Sequence, residues 1–418
     1  METSKTLAEQ NGSQSGAMLG ELTGDELLVQ NGNQAGSAMG ELTDDELLAQ
    51  NGNQAGVGVA EHFDELDKRP KILTFTANED DVSLAFFFNR SNAGDEQQNP
   101  NITFQKSTDG GLTWEEHTIG VYDPDDGDTS NLDIITLDEG ESVLFKGVNS
   151  ENFTVGDPEE DGGVYVGFYL DGSAAASGDI TSLINGVGGD ATIQLMQFYC
   201  MFYGCTGMTQ APTLPATTLA DFCYEAMFRG CTGLTQAPTL PATILAIGCY
   251  ETMFRDCTGM TQAPTLPATV LANECYSNMF NGCMSLTQAP ALPATTLASR
   301  CYSSMFNGCT SLTQAPTLPA TTLPATTLAS SCYENMFSGC TGITSHDVAT
   351  LNNSTNTFNN NSSCASFTIH AETPPTINNT TITGLKADCI IYVPAASVNA
   401  YKAAQYWSAR ASYIQAIP

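Results

Sequence analysis

Basic residues are scarce in this chain: 13 Lys and Arg stand against 46 Asp and Glu, a formal net charge of −33. The imbalance lies at the front, where residues 1–194 carry 37 acidic and 7 basic side chains; residues 195–418 carry 9 and 6. An acidic front repels phosphate backbones and the remainder offers no basic patch, which excludes nucleic acid as an expected partner. Long apolar runs are missing too, so no segment reads as a membrane span and no membrane insertion is expected. Met1-Glu2-Thr3-Ser4-Lys5 does not lead into an apolar core, and neither end carries a lipidation signal. The expectation is a protein that does not use standard secretory export. Histidine is rare, and His62, His117, His346 and His370 lie outside any nucleophile or metal motif. No enzyme activity and no cofactor are therefore expected.

Cysteine, by contrast, is abundant and periodic. The stretch Cys223-Tyr224-Glu225-Ala226-Met227-Phe228-Arg229-Gly230-Cys231-Thr232-Gly233-Leu234 recurs, so that Cys205, Cys231, Cys257, Cys283 and Cys309 are each 26 residues apart. Cys340 follows 31 residues later because Pro319-Ala320-Thr321-Thr322-Leu323 is duplicated as residues 324–328. Self-similarity at this period predicts a solenoid, in which each unit is one coil and neighbours stack. Ten cysteines form pairs seven residues apart in between: Cys223/Cys231, Cys249/Cys257, Cys275/Cys283, Cys301/Cys309 and Cys332/Cys340. Stacked coils place equivalent residues about 5 Å apart, which disulfide geometry tolerates, yet each cysteine then has equal partners above and below. These residues, with Met227 and Phe228, read as core, the cysteines as small buried hydrophobes. The spacing fits none of the usual zinc patterns.

Within a coil, Tyr224, Met227, Phe228 and Cys231 follow i, i+3, i+4, i+7 spacing, which predicts a helical turn or two with one apolar face. Leu234 to Pro241 is extended, because Pro238 and Pro241 bias their predecessors towards β or polyproline conformation. Strand pairing should then be short, around Leu234-Thr235-Gln236.

Residues 1–60 hold a second repeat. Gln10-Asn11-Gly12-Ser13-Gln14-Ser15-Gly16 recurs as 30–36 and 50–56, a period of 20. Between copies, Thr23 with Glu26 and Thr43 with Glu46 have capping-box spacing, and Asn31-Gly32 and Asn51-Gly52 supply a stop. Each copy reads as a short helix and a polar loop, too short to persist alone. One reading is a disordered acidic arm. The other is an anchor in which Leu27-Leu28 and Leu47-Leu48 dock on a multimeric scaffold, adding avidity.

After a charged linker at 61–69, seven short β-rich stretches follow: Ile72–Ala77, Val82–Phe88, Ile102–Lys106, Thr113–Ile119, Leu132–Leu137, Ser142–Val148 and Val164–Leu170. They fit an Ig-like β-sandwich. Ser107-Thr108-Asp109-Gly110-Gly111-Leu112-Thr113-Trp114 resembles the Asp-box hairpin first associated with sialidases. That family adds an arginine cluster and a tyrosine nucleophile, whereas Arg90 is the only arginine between Ile72 and Leu170; the hairpin reads as structural. Asp123–Asp128 and Asp157–Gly162 read as solvated acidic loops, with calcium as the sharper alternative; the first fails EF-hand spacing. Residues 171–190 read as a hinge.

The units Cys-Tyr-x-x-Met-Phe-x-Gly-Cys-Thr-[Gly/Ser]-Leu-Thr, followed by Leu-Pro, resemble BspA-like (Treponema-type) leucine-rich repeats of surface proteins of gut and oral anaerobes and some of their phages. Leu385 to Pro418, with Ile390-Ile391-Tyr392-Val393-Pro394, Tyr401 and Trp407, resembles the strand–helix ending of such proteins. The resemblance implies a right-handed solenoid and an adhesive role. The architecture expected is multi-domain: an acidic anchoring arm (1–60), a β-sandwich (61–175), an α/β leucine-rich-repeat solenoid with 26-residue coils (176–370) and a strand–helix cap (371–418).

Variation between coils gathers around the Cys-Tyr turn and marks a candidate recognition edge: Asp221, Phe222, Glu225, Arg229, Glu251, Arg255, Asp256, Glu274, Arg300 and Glu334. The plain alternative is a drifting solvated face. Glu225/Arg229 and Glu251/Arg255 have i, i+4 spacing. Rows of Thr (209, 235, 261, 287, 313) and Gln (210, 236, 262, 288, 314) are a second candidate, suited to a glycan. The functional expectation is a non-enzymatic phage fibre or decoration protein on the virion exterior, forming homo-oligomers. Residues 1–60 would hold other virion proteins, and the solenoid would hold a host cell-surface protein or glycan. The alternatives are a bacterial cell-surface adhesin and, third, a glycan-processing enzyme built on the sandwich.

Overall fold

Alternation of apolar and polar residues decides which way the first strands face. In the computed structural model, which describes residues 71–90, 98–123, 127–158, 162–316, 329–348, 351 and 355–418, strand β1 (Leu73–Ala77) buries Leu73, Phe75 and Ala77 and leaves Thr74 and Thr76 half-buried. The next strand, β2 (Val82–Asn89), has lost that alternation because it is central and covered on both faces. Then come β3 (Phe104–Ser107), β4 (Glu115–His117), β5 (Gly120–Tyr122), β6 (Ile135–Leu137), β7 (Ser142–Lys146), β8 (Thr154–Val155), β9 (Val164–Asp171), β10 (Ala174–Ser177) and β11 (Met208–Gln210). One sheet runs β11-β10-β1-β7-β3-β4; the other runs β5-β2-β9-β8, with β6 also on β2. Phenylalanines join their faces: Phe75 stacks on Phe168 at 4.4 Å between ring centroids, and Phe86 meets Phe145 edge-on at 5.0 Å. On the outer face, Gly167 pairs with Phe87, and a Cβ there would strike the Phe87 ring.

The stretch 171–190, expected as a hinge, is instead built into the core. Strand β10 pairs antiparallel with β1 and parallel with β11, which belongs to the first repeat. A four-residue helix, α1 (Ser182–Asn185), follows; the Ser182 hydroxyl donates to Phe145 O and accepts from Leu73 N. Phe202 of the first repeat packs on Phe75 and Phe168 at 6.0 and 5.4 Å. A single hydrophobic core therefore continues from the sheets into the repeats, within the unit Pro70–Pro418.

The expected α/β leucine-rich-repeat solenoid is overturned. The described residues are mainly β, and helix is confined to α1, α2 (Val398–Ala403) and 3-10 segments at Ala395–Ser397 and Ser408–Tyr413. No helix of the described residues falls in the periodic stretch 196–340. The apolar spacing that suggested one is met by overlapping tight turns. Phe222 (φ 54°), Ala226 (φ 51°) and Gly230 (φ 76°) are left-handed, and the pattern recurs at Glu274, Asn278 and Gly282. A left-handed residue at every fourth position stops any right-handed helix. Backbone hydrogen bonds then alternate. Met227 N and Arg229 N reach back three residues to Tyr224 O and Ala226 O, whereas Tyr224 N, Ala226 N and Phe228 N donate to Cys249 O, Glu251 O and Met253 O of the next repeat. Donors that a helix would satisfy locally are thus satisfied by the neighbour.

This backbone ladder holds side-chain ladders. Tyr224, Tyr250, Tyr276, Tyr302 and Tyr333 stack at 5.9–6.2 Å, and Phe202 to Phe337 at 5.5–5.9 Å. Each such ring contributes about 1.5–3 kcal/mol by burial and roughly 0.5–1.5 kcal/mol per aromatic contact. The five-residue duplication leaves the ladder in register, since Tyr302 N still donates to Cys332 O at 3.1 Å. On the Thr-Gln side, pairing shrinks to single parallel bridges Gln236↔Gln262, Gln262↔Gln288 and Gln288↔Gln314. The chain ends in a parallel sheet, β12 (Ser345–Val348), β13 (Ser366–Ile369), β14 (Ile390–Val393) and β15 (Ile414–Ala416). Tyr401 and Trp407 seal it; the Tyr401 hydroxyl donates to Ala371 O and the indole to Pro375 O.

Candidate recognition groove

The left-handed turns dictate where the variable side chains go. Their backbone faces the neighbouring repeats, so the cysteines, Tyr, Met and Phe fall inside while the residues between them reach one edge. Cys223, Cys231, Cys249, Cys257, Cys275, Cys283, Cys301, Cys309, Cys332 and Cys340 are all buried thiols outside any disulfide, and Met227 and Phe228 are buried with them. The second thiol of each unit donates to a phenylalanine carbonyl of the preceding one: Cys231 to Phe202 O, Cys257 to Phe228 O and Cys283 to Phe254 O, at 3.0–3.1 Å. Burial pushes Cys249, Cys257, Cys301 and Cys309 up to about 12, and Cys223, Cys231, Cys275, Cys283 and Cys340 well above the ordinary thiol value. A neutral, enclosed thiol is a poor nucleophile and a poor metal ligand.

Across the edge, successive repeats form a groove of about 380 Å³ lined by Phe222, Glu225, Glu251, Glu274, Ser277, Asn278, Arg300, Ser303 and Glu334. Six of the ten edge residues singled out in the sequence meet there. Arg300 Nη1 lies 3.3 Å from Glu274 Oε1, one repeat away, and Glu334 accepts from the Thr355 hydroxyl at 2.7 Å. Glu225 is 5% exposed, so its carboxylate lies deep in the groove wall. Four carboxylates against one guanidinium leave a negative field in a concave site, which favours cationic groups and hydroxyl or amide donors.

The other four edge residues lie off the groove. The carboxylate of Asp221 accepts from Ile247 N at 2.9 Å, which ties two repeats together. Arg229 sits over the Tyr203 ring at 5.4 Å, and Arg255 Nε lies 3.5 Å from Asp256. The i, i+4 reading of Glu225/Arg229 and Glu251/Arg255 assumed helical geometry that the turns do not provide. Ser277, Asn278 and Ser303, which also vary between repeats at the Cys-Tyr turn but are not among the ten edge residues, complete the lining. Their signal was available, since Ser277 and Ser303 occupy the places of Glu225 and Glu251 in later repeats. Leu27, Leu28, Leu47 and Leu48 lie outside the described residues, as do parts of both acidic loops.

Along the Thr-Gln row, Gln236 Nε2 donates to Gln262 Oε1 at 3.0 Å, while Thr261 and Thr313 hydroxyls donate to the carbonyls of Thr235 and Thr287. Part of that row's hydrogen-bonding capacity is spent between repeats. The Asp-box turn is also committed. Asp109 accepts from the Thr113 hydroxyl, from Thr113 N and from Ser107, which lowers its carboxyl to about 2. Gly110 and Gly111 take positive φ, and Trp114 donates to Gly111 O beneath Lys146. No helix of the described residues is long and apolar enough to cross a membrane. Set against known proteins, the chain matches no family model and no curated protein.

Proposed function

We propose that this is a non-enzymatic recognition protein that presents the groove along its repeat edge to a partner on a cell surface. One observation supports this most: residues differing from repeat to repeat converge in one concave, negatively charged groove, on a scaffold whose repeating residues are buried. The scaffold supplies rigidity and the variable edge supplies chemistry. A buried thiol interior and a hydrogen-bonded Asp-box turn are consistent with structure rather than catalysis.

The setting proposed is a phage virion, with the chain as a fibre or decoration protein held through residues 1–60; the alternative is a bacterial surface adhesin. The test uses the full chain, fluorescently labelled, on intact anaerobe cells, beside Arg300→Glu and Glu251→Lys variants with unchanged circular dichroism. Loss of cell binding in either variant is the expected result. Binding that is equal in all three proteins would overturn the groove as the recognition site. Mass spectrometry of purified particles against fractionated host cells separates the two settings.

A further inference from the structure

Outside the periodic stretch, two cysteines do not face the phenylalanine carbonyl of a preceding repeat and contact each other instead. Cys364 Sγ and Cys389 Sγ are 3.7 Å apart, and the residues are 25 positions apart in the chain. Cys364 lies two residues before β13 and Cys389 one residue before β14, and these strands pair in parallel with Ser366 opposite Ile390. The two sulfurs therefore face each other at one end of the sheet. Both side chains are buried, yet each borders an exposed turn: Ser362-Ser363 before Cys364, and Lys386-Ala387-Asp388 before Cys389. Neither has an equivalent neighbour on its other side, so the ambiguity of partner that attaches to the repeat cysteines is absent.

The surroundings differentiate the two thiols. Cys364 Sγ also lies 3.2 Å from Ser366 O, and Cys389 Sγ 3.8 Å from Ile390 O. Arg410 fastens the turn before Cys389, donating to Lys386 O, Ala387 O and Leu385 O at 2.8–3.1 Å. The hydrogen bond from Cys364 favours the Cys389 thiolate, as do the positive charges of Arg410 and Lys386 against Asp388 and burial. The hydrogen bond with Cys389, and then burial, push the Cys364 thiol upward.

We propose that Cys364 and Cys389 are a modification site: a dithiol that closes to a disulfide across β13 and β14, with Cys389 as attacking sulfur and a small organic disulfide as oxidant. The Cys389 thiolate attacks one sulfur of the oxidant, forming a mixed disulfide and expelling one thiolate. Cys364 then gives up its proton and attacks Cys389 Sγ, expelling the second. Two cysteine thiols are oxidised and one small disulfide is reduced to two thiols, which carry away the two protons. Local opening at the exposed turns admits the oxidant, and closure fastens the terminal sheet.

The test is independent of the groove. The full chain is held in glutathione disulfide, unreacted thiols are alkylated under denaturing conditions, and peptides are mapped without reduction. The expected product is a peptide pair joined through Cys364 and Cys389, with the repeat cysteines alkylated, and a higher thermal midpoint than the reduced chain. Cys364→Ser should retain glutathione on Cys389, whereas Cys389→Ser should leave Cys364 unmodified. Recovery of both residues as alkylated thiols, a lasting glutathione adduct in the unsubstituted chain, or linkage to a repeat cysteine would each overturn the proposal. Glutathione retained on Cys364 in Cys389→Ser would overturn the assignment of the attacking sulfur.

Discussion

Two imidazoles are enclosed among the described residues, His117 and His346, and their burial has a pH consequence. The backbone N–H of Phe86 donates to His117 Nε2 at 3.1 Å, so the neutral ring carries its proton on Nδ1, facing Asp133 Oδ2 at 3.1 Å. His346 Nε2 lies 2.9 Å from Asn361 Oδ1, among Phe337, Phe358 and Phe367. Burial holds both rings at about 4, against an ordinary 6.5. The unfolded chain therefore binds more protons between those values, and stability present above 6.5 is lost as pH falls towards 4, by up to ~3 kcal/mol per ring. Thermal melts across that window should show the midpoint falling with pH, and His346→Gln should flatten the slope. A midpoint independent of pH would refute the burial argument. The tyrosine ladder allows a second test at this scale. The Tyr276 hydroxyl is buried, with no hydrogen-bond partner among the described residues. Tyr276→Phe should then stabilise the chain by about 1 kcal/mol, read by denaturant unfolding, because a desolvated hydroxyl is removed while the stacked ring remains.

The repeat turn is the element on which the architecture depends, and its sequence is ambiguous. Tyr224, Met227, Phe228 and Cys231 have the spacing of a helix face, and the same spacing serves a chain of tight turns with one residue in four left-handed. The two architectures predict opposite signs for one substitution. Thr252 is β-branched at φ 52°, a conformation that costs an L-residue about 1–2 kcal/mol. Thr252→Gly should raise stability by roughly that amount in the stacked turns, whereas in a helix it would lower stability by about 0.5 kcal/mol or less. Denaturant melts of the single variant decide the matter. The strain is offset because every second backbone donor reaches the adjoining repeat, where a helix would have kept it within its own turn.

At the scale of the molecule, what matters is that one core runs from the phenylalanine-filled sheets through the repeats. The Gly, Ser and Ala content of 171–190 suggested a hinge, but β10 lies between β1 and β11, and Asn149 reaches Leu183 O across the same join. Limited proteolysis of the full chain should leave 171–190 uncut under conditions that cleave exposed loops; early cleavage there would show the join to be loose. Much of this region was legible beforehand. Strands form within each of the seven stretches read as β-rich, since alternation and turn residues report burial locally. The groove was legible in part. Phe222, Glu225, Glu251, Glu274, Arg300 and Glu334 could be selected because they vary between repeats, but which of them meet depends on the turn geometry.

The amino-acid order alone determined the repeat interval, the inward placement of Cys, Tyr, Met and Phe, and the gathering of charge around the Cys-Tyr turn, because burial of apolar surface is a property of each side chain. The tertiary structure alone decided helix against stacked turns, the continuity of the sheets with the first repeat, and the meeting of Cys364 with Cys389. Those outcomes depend on whether a backbone donor finds its acceptor in its own turn or in a neighbouring segment. Local spacing does not carry that information.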